Sequence, residues 1–319
     1  MYKLSRVVQA HKRDARCIDY HEGLLVTGGS DKIFNLYAFK AGNCTLLTSS
    51  DILEADVISI KINKHHPKSL TFVALGCRNG DIFCFDREGN PSLKLSHNST
   101  ISSIDFIDGE HIVTGSWDGK AIVWSLTEQK PICEFKEHKH AVTVFYNRTN
   151  NYVTSGSQDK ALNIWDWHTG MKIKRTENAH NDIIREISEI EGSGMIVTCS
   201  NDEAIKMWSA DLEPIQTMLG HTAFVFTVKA LRLGLYASGG EDKTLKLWEE
   251  DRCVQDVQYP CSIWSVTFDE NLDILVAGSD GFVRTFTTSE SRRADPDIEE
   301  MFNKQILESS SKKSGMSEE

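Results

Sequence analysis

Histidine, a serine or threonine hydroxyl and an aspartate recur together five times along the 319-residue chain. The sets are His11/Thr27/Asp31, His97/Thr114/Asp118, His138/Ser155/Asp159, His180/Thr198/Asp202 and His221/Ser238/Asp242. These are the residue types of a nucleophilic triad, in which an imidazole deprotonates a hydroxyl and a carboxylate orients the imidazole. Five copies argue against that chemistry. Catalysis needs one exposed nucleophile, whereas a structural device recurs with the unit that carries it. No unrepeated nucleophile and base stand out elsewhere, so the chain reads as a non-enzyme.

The unit is visible once the aromatic that follows each set is included. Seven segments run VTGGSDKIFNLY, VALGCRNGDIFCF, VTGSWDGKAIVW, VTSGSQDKALNIW, VTCSNDEAIKMW, ASGGEDKTLKLW and VAGSDGFVRTF. They end on Tyr37, Phe85, Trp124, Trp165, Trp208, Trp248 and Phe286, at spacings of 48, 39, 41, 43, 40 and 38 residues. Short alternating strands, turn residues between them and a period near 40–45 indicate four-stranded antiparallel blades. The pattern resembles the WD-repeat family over residues 2–287. That resemblance implies a hydrogen-bonded chain of His, Ser/Thr, Asp and Trp locking each blade. The second repeat has Leu53, Leu75 and Asn79 at these positions and the seventh has Tyr259 and Val276, keeping only Asp280; both are expected to lack the network.

Pro91, Pro131 and Pro214 stand where the outermost strand of a blade would open, an edge that tolerates a missing N–H. The N-terminal YKLSRVVQAH fits the same outer strand, and none follows Phe286. Residues 2–9 are therefore expected to pair with the last blade and close the ring. The expected fold is an all-β, seven-bladed WD-repeat propeller over 1–287, with a short helix near 296–308 and a flexible linker tail within 288–319. The apolar stripe of Ile298, Met301, Phe302 and Ile306 and the Asp295-Pro296 start carry the helix. The long first spacing places extra residues in the connection from the first to the second repeat or near Asn63–Ser69.

Apolar residues make up 40 % of the chain, enough for a sizeable core, and the net charge of −11 disfavours nucleic acid and anionic membranes as partners. No run approaches a membrane span and no signal segment opens the chain, which points to a soluble intracellular protein. The eight cysteines form no CxxC pair and read as reduced packing residues. His65-His66 and His138-Lys139-His140 lack partners at metal-ligand spacing, and GSWDGKA lacks the order of a phosphate loop; neither a metal nor another cofactor is expected.

Function then falls to a surface. An apolar anchor follows each histidine position by four residues, and the residues on either side of it should face the mouth of the central channel. These pairs are Asp14/Arg16, Asp56/Ile58, Thr100/Ser102, Ala141/Thr143, Ile183/Arg185, Phe224/Phe226 and Ser262/Trp264, joined by the turn residues Ser30, Arg78, Trp117, Gln158, Asn201, Glu241 and Ser279. Phe224, Phe226 and Trp264 on adjacent blades, with Ile183 beside them and acids around, form a candidate protein-binding patch. Packing of individual aromatics between blades is the competing reading.

A narrower resemblance rests on AHNDIIR, SNDEAIKMW, GHTAFVF, SIWSV and SDGFVRTFT followed by SESRRADPDIEEM. The chain is similar to the N-terminal propeller of the phospholipase A2-activating protein family, the ubiquitin-fusion-degradation factors that work with an AAA ATPase segregase. The resemblance implies a ubiquitin receptor of the cytoplasm and nucleus, acting in ubiquitin-dependent protein degradation. Contact with the segregase would run through C-terminal domains that do not occur in this sequence. Ubiquitin offers an apolar patch rimmed by basic side chains. Its expected contacts are Asp14, Arg16, Asp56, Trp117, Ile183, Arg185, Phe224, Phe226, Glu241 and Trp264. The alternatives are a reader of phosphorylated or otherwise modified peptides, using Arg16, Arg78 and Arg185, and a general interaction scaffold.

Overall fold

Alternation of apolar and polar residues over five to seven positions, cut by Gly, Asn and Asp turns, leaves each segment able to bury one face only as a strand. The computed structural model describes residues 1–40, 43–64, 71–232 and 234–314. It forms seven four-stranded antiparallel sheets arranged as a ring. The innermost strands are Ala15–His21, Val57–Ile62, Ile101–Phe106, Val142–Asn147, Ile184–Glu189, Val225–Arg232 and Ile263–Phe268. The outermost strand of the seventh blade is β1 (Lys3–Gln9), which pairs with Phe282–Thr287 from Lys3 opposite Thr287 to Gln9 opposite Phe282. The first strand thus supplies the outer strand of the last blade and closes the ring. Pro91 and Pro214 begin outer strands and Pro131 is second in its own, as an edge allows.

The core lies between blades. In one interface Val26, Phe34 and Leu36 of blade 1 pack on Ile60, Ile62 and Leu75 of blade 2, all nearly inaccessible. Burying such a side chain is worth roughly 1.5–3 kcal/mol, so neighbouring blades stabilise each other and none stands alone.

Around the channel, polar side chains on one inner strand accept backbone N–H groups of the next. Asp19 takes Ile62 at 3.0 Å, Ser59 takes Ile104 at 3.1 Å, Ser103 takes Val144 at 2.7 Å, Glu186 takes Val228 at 3.0 Å and Thr227 takes Val266 at 3.1 Å. This belt satisfies donors that the last strand of a sheet would leave bare, and it fixes the inner strands that carry the channel mouth.

Helix α1 spans Pro296–Ser314, six residues longer than the expected 296–308. The Ser- and Lys-rich run 309–314 continues it where a linker was expected, and 315–319 lie outside the described residues. Phe302 packs edge-on against Tyr259 and Phe286 at 5.9 and 6.0 Å. The segment before it grips β1: Ala294 N–H donates to Leu4 O at 2.9 Å, the Ser5 hydroxyl donates to Arg292 O, and Arg292 forks onto Asp273 at 2.9 and 3.0 Å. Of the expected loop near Asn63–Ser69, residues 65–69 lie outside the described ones, as do His65 and His66.

Candidate binding face

The five histidine sets form buried chains of one design. In blade 5, His180 Nδ1 lies 3.0 Å from Asp202, its Nε2 2.7 Å from Thr198 Oγ1, and the Trp208 indole N–H donates to that oxygen at 2.9 Å. The corresponding distances in the sets of His97, His138 and His221 fall between 2.7 and 3.0 Å. The His11 set ends at Thr27, because Tyr37 replaces the tryptophan. The tautomer is assigned from this geometry: a neutral imidazole donates from Nδ1 to the carboxylate and accepts at Nε2. With the hydroxyl and the histidine of each of the five sets buried, and four of those hydroxyls holding an indole as well as an imidazole, no set offers a nucleophile to solvent.

Electrostatics agree with that structural role. Burial pushes the His97 and His180 imidazoles below their usual pKa, against the pull of Asp118 and Asp202. For the carboxylates burial acts upward, but the histidine hydrogen bonds and nearby backbone N–H groups prevail, leaving Asp159 and Asp202 at about 2. The residue after each turn acid is left-handed, from Lys243 at φ 62° to Gly80 at φ 94° in the second blade. Glycine fills three of these seven positions, and lysine or glutamate accepts the strain in four.

Blade 7 departs from expectation. Its network is replaced rather than lost: Arg284, fully buried, donates to Asp280 at 2.7 and 3.2 Å, to the Tyr259 hydroxyl at 3.2 Å and to Gln305 of α1 at 3.0 Å. Arginine two residues before the terminal aromatic was the available signal, since a charge inside an otherwise apolar strand needs a partner. Among the described residues blade 2 shows no such substitute, and Asn79 braces its own turn by donating to Asp81 at 2.7 Å.

At the channel mouth a single backbone bond recurs in all seven blades. The turn residue donates its N–H to the carbonyl of the first residue of each flanking pair: Ser30 to Asp14, Arg78 to Asp56, Trp117 to Thr100, Gln158 to Ala141, Asn201 to Ile183, Glu241 to Phe224 and Ser279 to Ser262, at 2.9–3.0 Å. Residues separated by 16 to 22 positions in sequence thus stand side by side. The anchors between them, from Ala15 to Ile263, are buried. Gly240 permits the close approach in blade 6, since a Cβ there would stand 2.1 Å from Phe224 O.

Six of the ten predicted residues line one cavity of about 170 Å³ at the mouth: Arg16, Trp117, Ile183, Arg185, Phe226 and Trp264. Four of them form a column. The Arg16 guanidinium lies 3.9 Å from the Trp264 ring, Trp264 stacks on Phe226 at 4.6 Å and 17°, and the Arg185 guanidinium lies 5.7 Å from Phe226. Such cation–π contacts hold the side chains in place and leave the arginines charged. Phe224 meets Phe226 edge-on at 6.5 Å and is 38 % exposed; Trp117 across the mouth is 58 % exposed. Glu241, beside Phe224, is exposed, while Asp14 and Asp56 are half-buried and pair with Arg16 at 3.7 Å and Arg78 at 3.1 Å. Trp264 therefore spends its ring faces inside the column, and the open aromatic surface belongs to Phe224 and Trp117. The cavity wall also includes Ile58, Ser102, Ala141 and Thr143, small members of the same flanking pairs that their size concealed.

A closed ring of seven four-stranded blades, five locked by His–Ser/Thr–Asp networks, defines a WD-repeat β-propeller. A family model described as a Vps42 beta-propeller matches residues 47–223, and the WD domain, G-beta repeat, matches 212–249 and 252–286. The chain is 36 % identical over 220 residues to the ubiquitin homeostasis protein lub1 of Schizosaccharomyces pombe, covering 68 % of this chain and 30 % of that protein. It is 26 % identical over 339 residues to the ubiquitin fusion degradation protein 3 homolog of Caenorhabditis elegans, covering 96 % and 38 %. The solved WD40 beta propeller domain of Doa1 superposes with a TM-score of 0.80 at 25 % identity, over 92 % of this chain and 99 % of that one. The chain belongs to the β-propeller family that these models describe and, within it, to the propellers of the phospholipase A2-activating protein and ubiquitin-fusion-degradation group. It spans about a third of the length of the two curated relatives, 30 % and 38 %.

Proposed function

We propose that the propeller is a non-catalytic ubiquitin receptor, and that it serves as an adaptor in ubiquitin-dependent protein turnover alongside an AAA ATPase segregase. The observation that carries this reading is the asymmetry of the mouth: exposed aromatic surface at Phe224 and Trp117, apolar Ile183, and the acids Glu241, Asp14 and Asp56 around it. An apolar centre with an acidic rim complements ubiquitin's apolar patch and basic rim. The names of lub1 and of the ubiquitin fusion degradation homolog place those relatives in ubiquitin biology. No helix among the described residues is long and apolar enough to cross a membrane, in keeping with a role in the cytoplasm and nucleus. The encounter is micromolar, because so small and partly polar a contact exceeds the cost of association by little. Titrating monoubiquitin into Phe224→Asp and Trp117→Ala variants tests the reading. At least tenfold weaker binding is expected for the first; unchanged binding in both would remove the top face from the account.

A further inference from the structure

We propose that the channel mouth holds a pocket for a single carboxylate carried on an extended peptide. The proposal goes beyond the ubiquitin reading, because it rests on the cavity wall rather than on the exposed aromatics. In a chain of net charge −11, the wall of the 170 Å³ mouth cavity contains two arginines and no acid. Arg16 and Arg185 stand at opposite ends of the aromatic column, so their guanidiniums are held in place before any ligand arrives.

Both retain free donors. Among the described residues, Arg16 forms an ion pair with Asp14 alone, at 3.7 Å, too long for a hydrogen bond, and Arg185 commits only its Nε, to Asn201 at 2.7 Å. A guanidinium has five N–H groups, and its fork matches a carboxylate.

Charge and size select the ligand. Asp14 and Asp56 act on Arg16, and Asp182 and Glu241 on Arg185, from outside the wall, which partly offsets the charge of the two arginines. Arg78, already paired with Asp56 at 3.1 Å, does not line the cavity, so a three-arginine phosphate cluster is not assembled. A space of 170 Å³ admits one or two residues and excludes a folded domain. The carboxylate is thus the C-terminus of a chain or an acidic side chain on a protruding segment.

Fluorescence polarisation with three labelled hexapeptides and the full chain tests this. One peptide ends in a free acid, the second is its C-terminal amide, and the third is that amide with an internal glutamate. The acid or the glutamate peptide is expected to bind at least about tenfold tighter than the plain amide, and whichever does identifies the source of the carboxylate. A single carboxylate reaches only one end of the column, so one of Arg185→Gln and Arg16→Gln should abolish most of that difference while the other leaves it largely unchanged. Equal binding of all three peptides, no binding at millimolar peptide, or an unchanged difference in both arginine variants would overturn the proposal. So would a phosphoserine peptide that binds tenfold tighter than either carboxylate. Loss of ubiquitin binding in Phe224→Asp with the acid–amide difference intact would leave this site standing, and the converse would remove it while leaving the ubiquitin reading in place.

Discussion

The His–Ser/Thr–Asp–Trp chains and the channel mouth differ in a way that inverts what their residue types promise. The chains hold every group needed for nucleophilic chemistry, yet each hydroxyl, imidazole and carboxylate is committed to a neighbour at 2.7–3.1 Å and shielded from solvent. Among the described residues the mouth pairs no nucleophile with a base, yet its aromatics and arginines are unequal from blade to blade and reach the surface. Blades 5, 6, 7 and 1 supply Arg185, Phe226, Trp264 and Arg16, while blades 3 and 4 supply Trp117 and the smaller Ser102, Ala141 and Thr143. A feature repeated by every unit serves the unit. A feature confined to a few units breaks the symmetry of the ring and so can recognise something.

This contrast can be broken or sharpened by substitution. The largest effect is expected for Arg284→Ala, which leaves Asp280 and Tyr259 without their buried partner and frees Gln305 of α1. Chemical denaturation should show a loss of about 3–5 kcal/mol. Next, Thr198→Val strips both the Trp208 indole and His180 Nε2 of their shared partner. It should cost about 2–4 kcal/mol in the same measurement, since two buried groups lose their bonds.

Acid should expose the same networks. His97 and His180 have lowered pKa values in the folded chain, so the unfolded chain binds protons first and stability falls as pH drops below about 6.5. Asp159 and Asp202, at about 2, add a second loss between roughly pH 5 and 2, about 1–2 kcal/mol each, which is recovered above the unfolded carboxylate range. Thermal midpoints from pH 8 to 2.5 should trace this two-stage decline. The smallest effect belongs to exposed Cys253, where Cys253→Ser should change stability by no more than about 0.5 kcal/mol.

Much of this contrast was legible in the sequence, because spacing is what a repeat conserves within itself. The terminal aromatics gave the blade count, the histidine sets gave the locked turns, and the N-terminal segment's likeness to an outer strand gave the closure. That Glu241 stands beside Phe224 was not, since the recurring backbone bond that joins turn residue and flanking pair appears only in the structure. Three further features were not. Arg284 looked like a gap in a network, because its partners Tyr259 and Gln305 lie 25 and 21 residues away and only the docked helix unites them. The length of α1 was hidden by its weakly apolar C-terminal half. Trp264 read as open surface, since alternation tells which way a side chain leaves the strand and not that Arg16 and Phe226 will cover its two faces.

The central claim, that repetition marks structure and asymmetry marks binding, is tested most directly by titrating monoubiquitin into Phe224→Asp and Thr198→Val side by side, each with its unfolding midpoint. Phe224→Asp should bind at least tenfold more weakly, about 1.4 kcal/mol, at an unchanged midpoint, and Thr198→Val should unfold several degrees earlier while binding like the parent chain. Weakened binding in Thr198→Val with Phe224→Asp unaffected would contradict it.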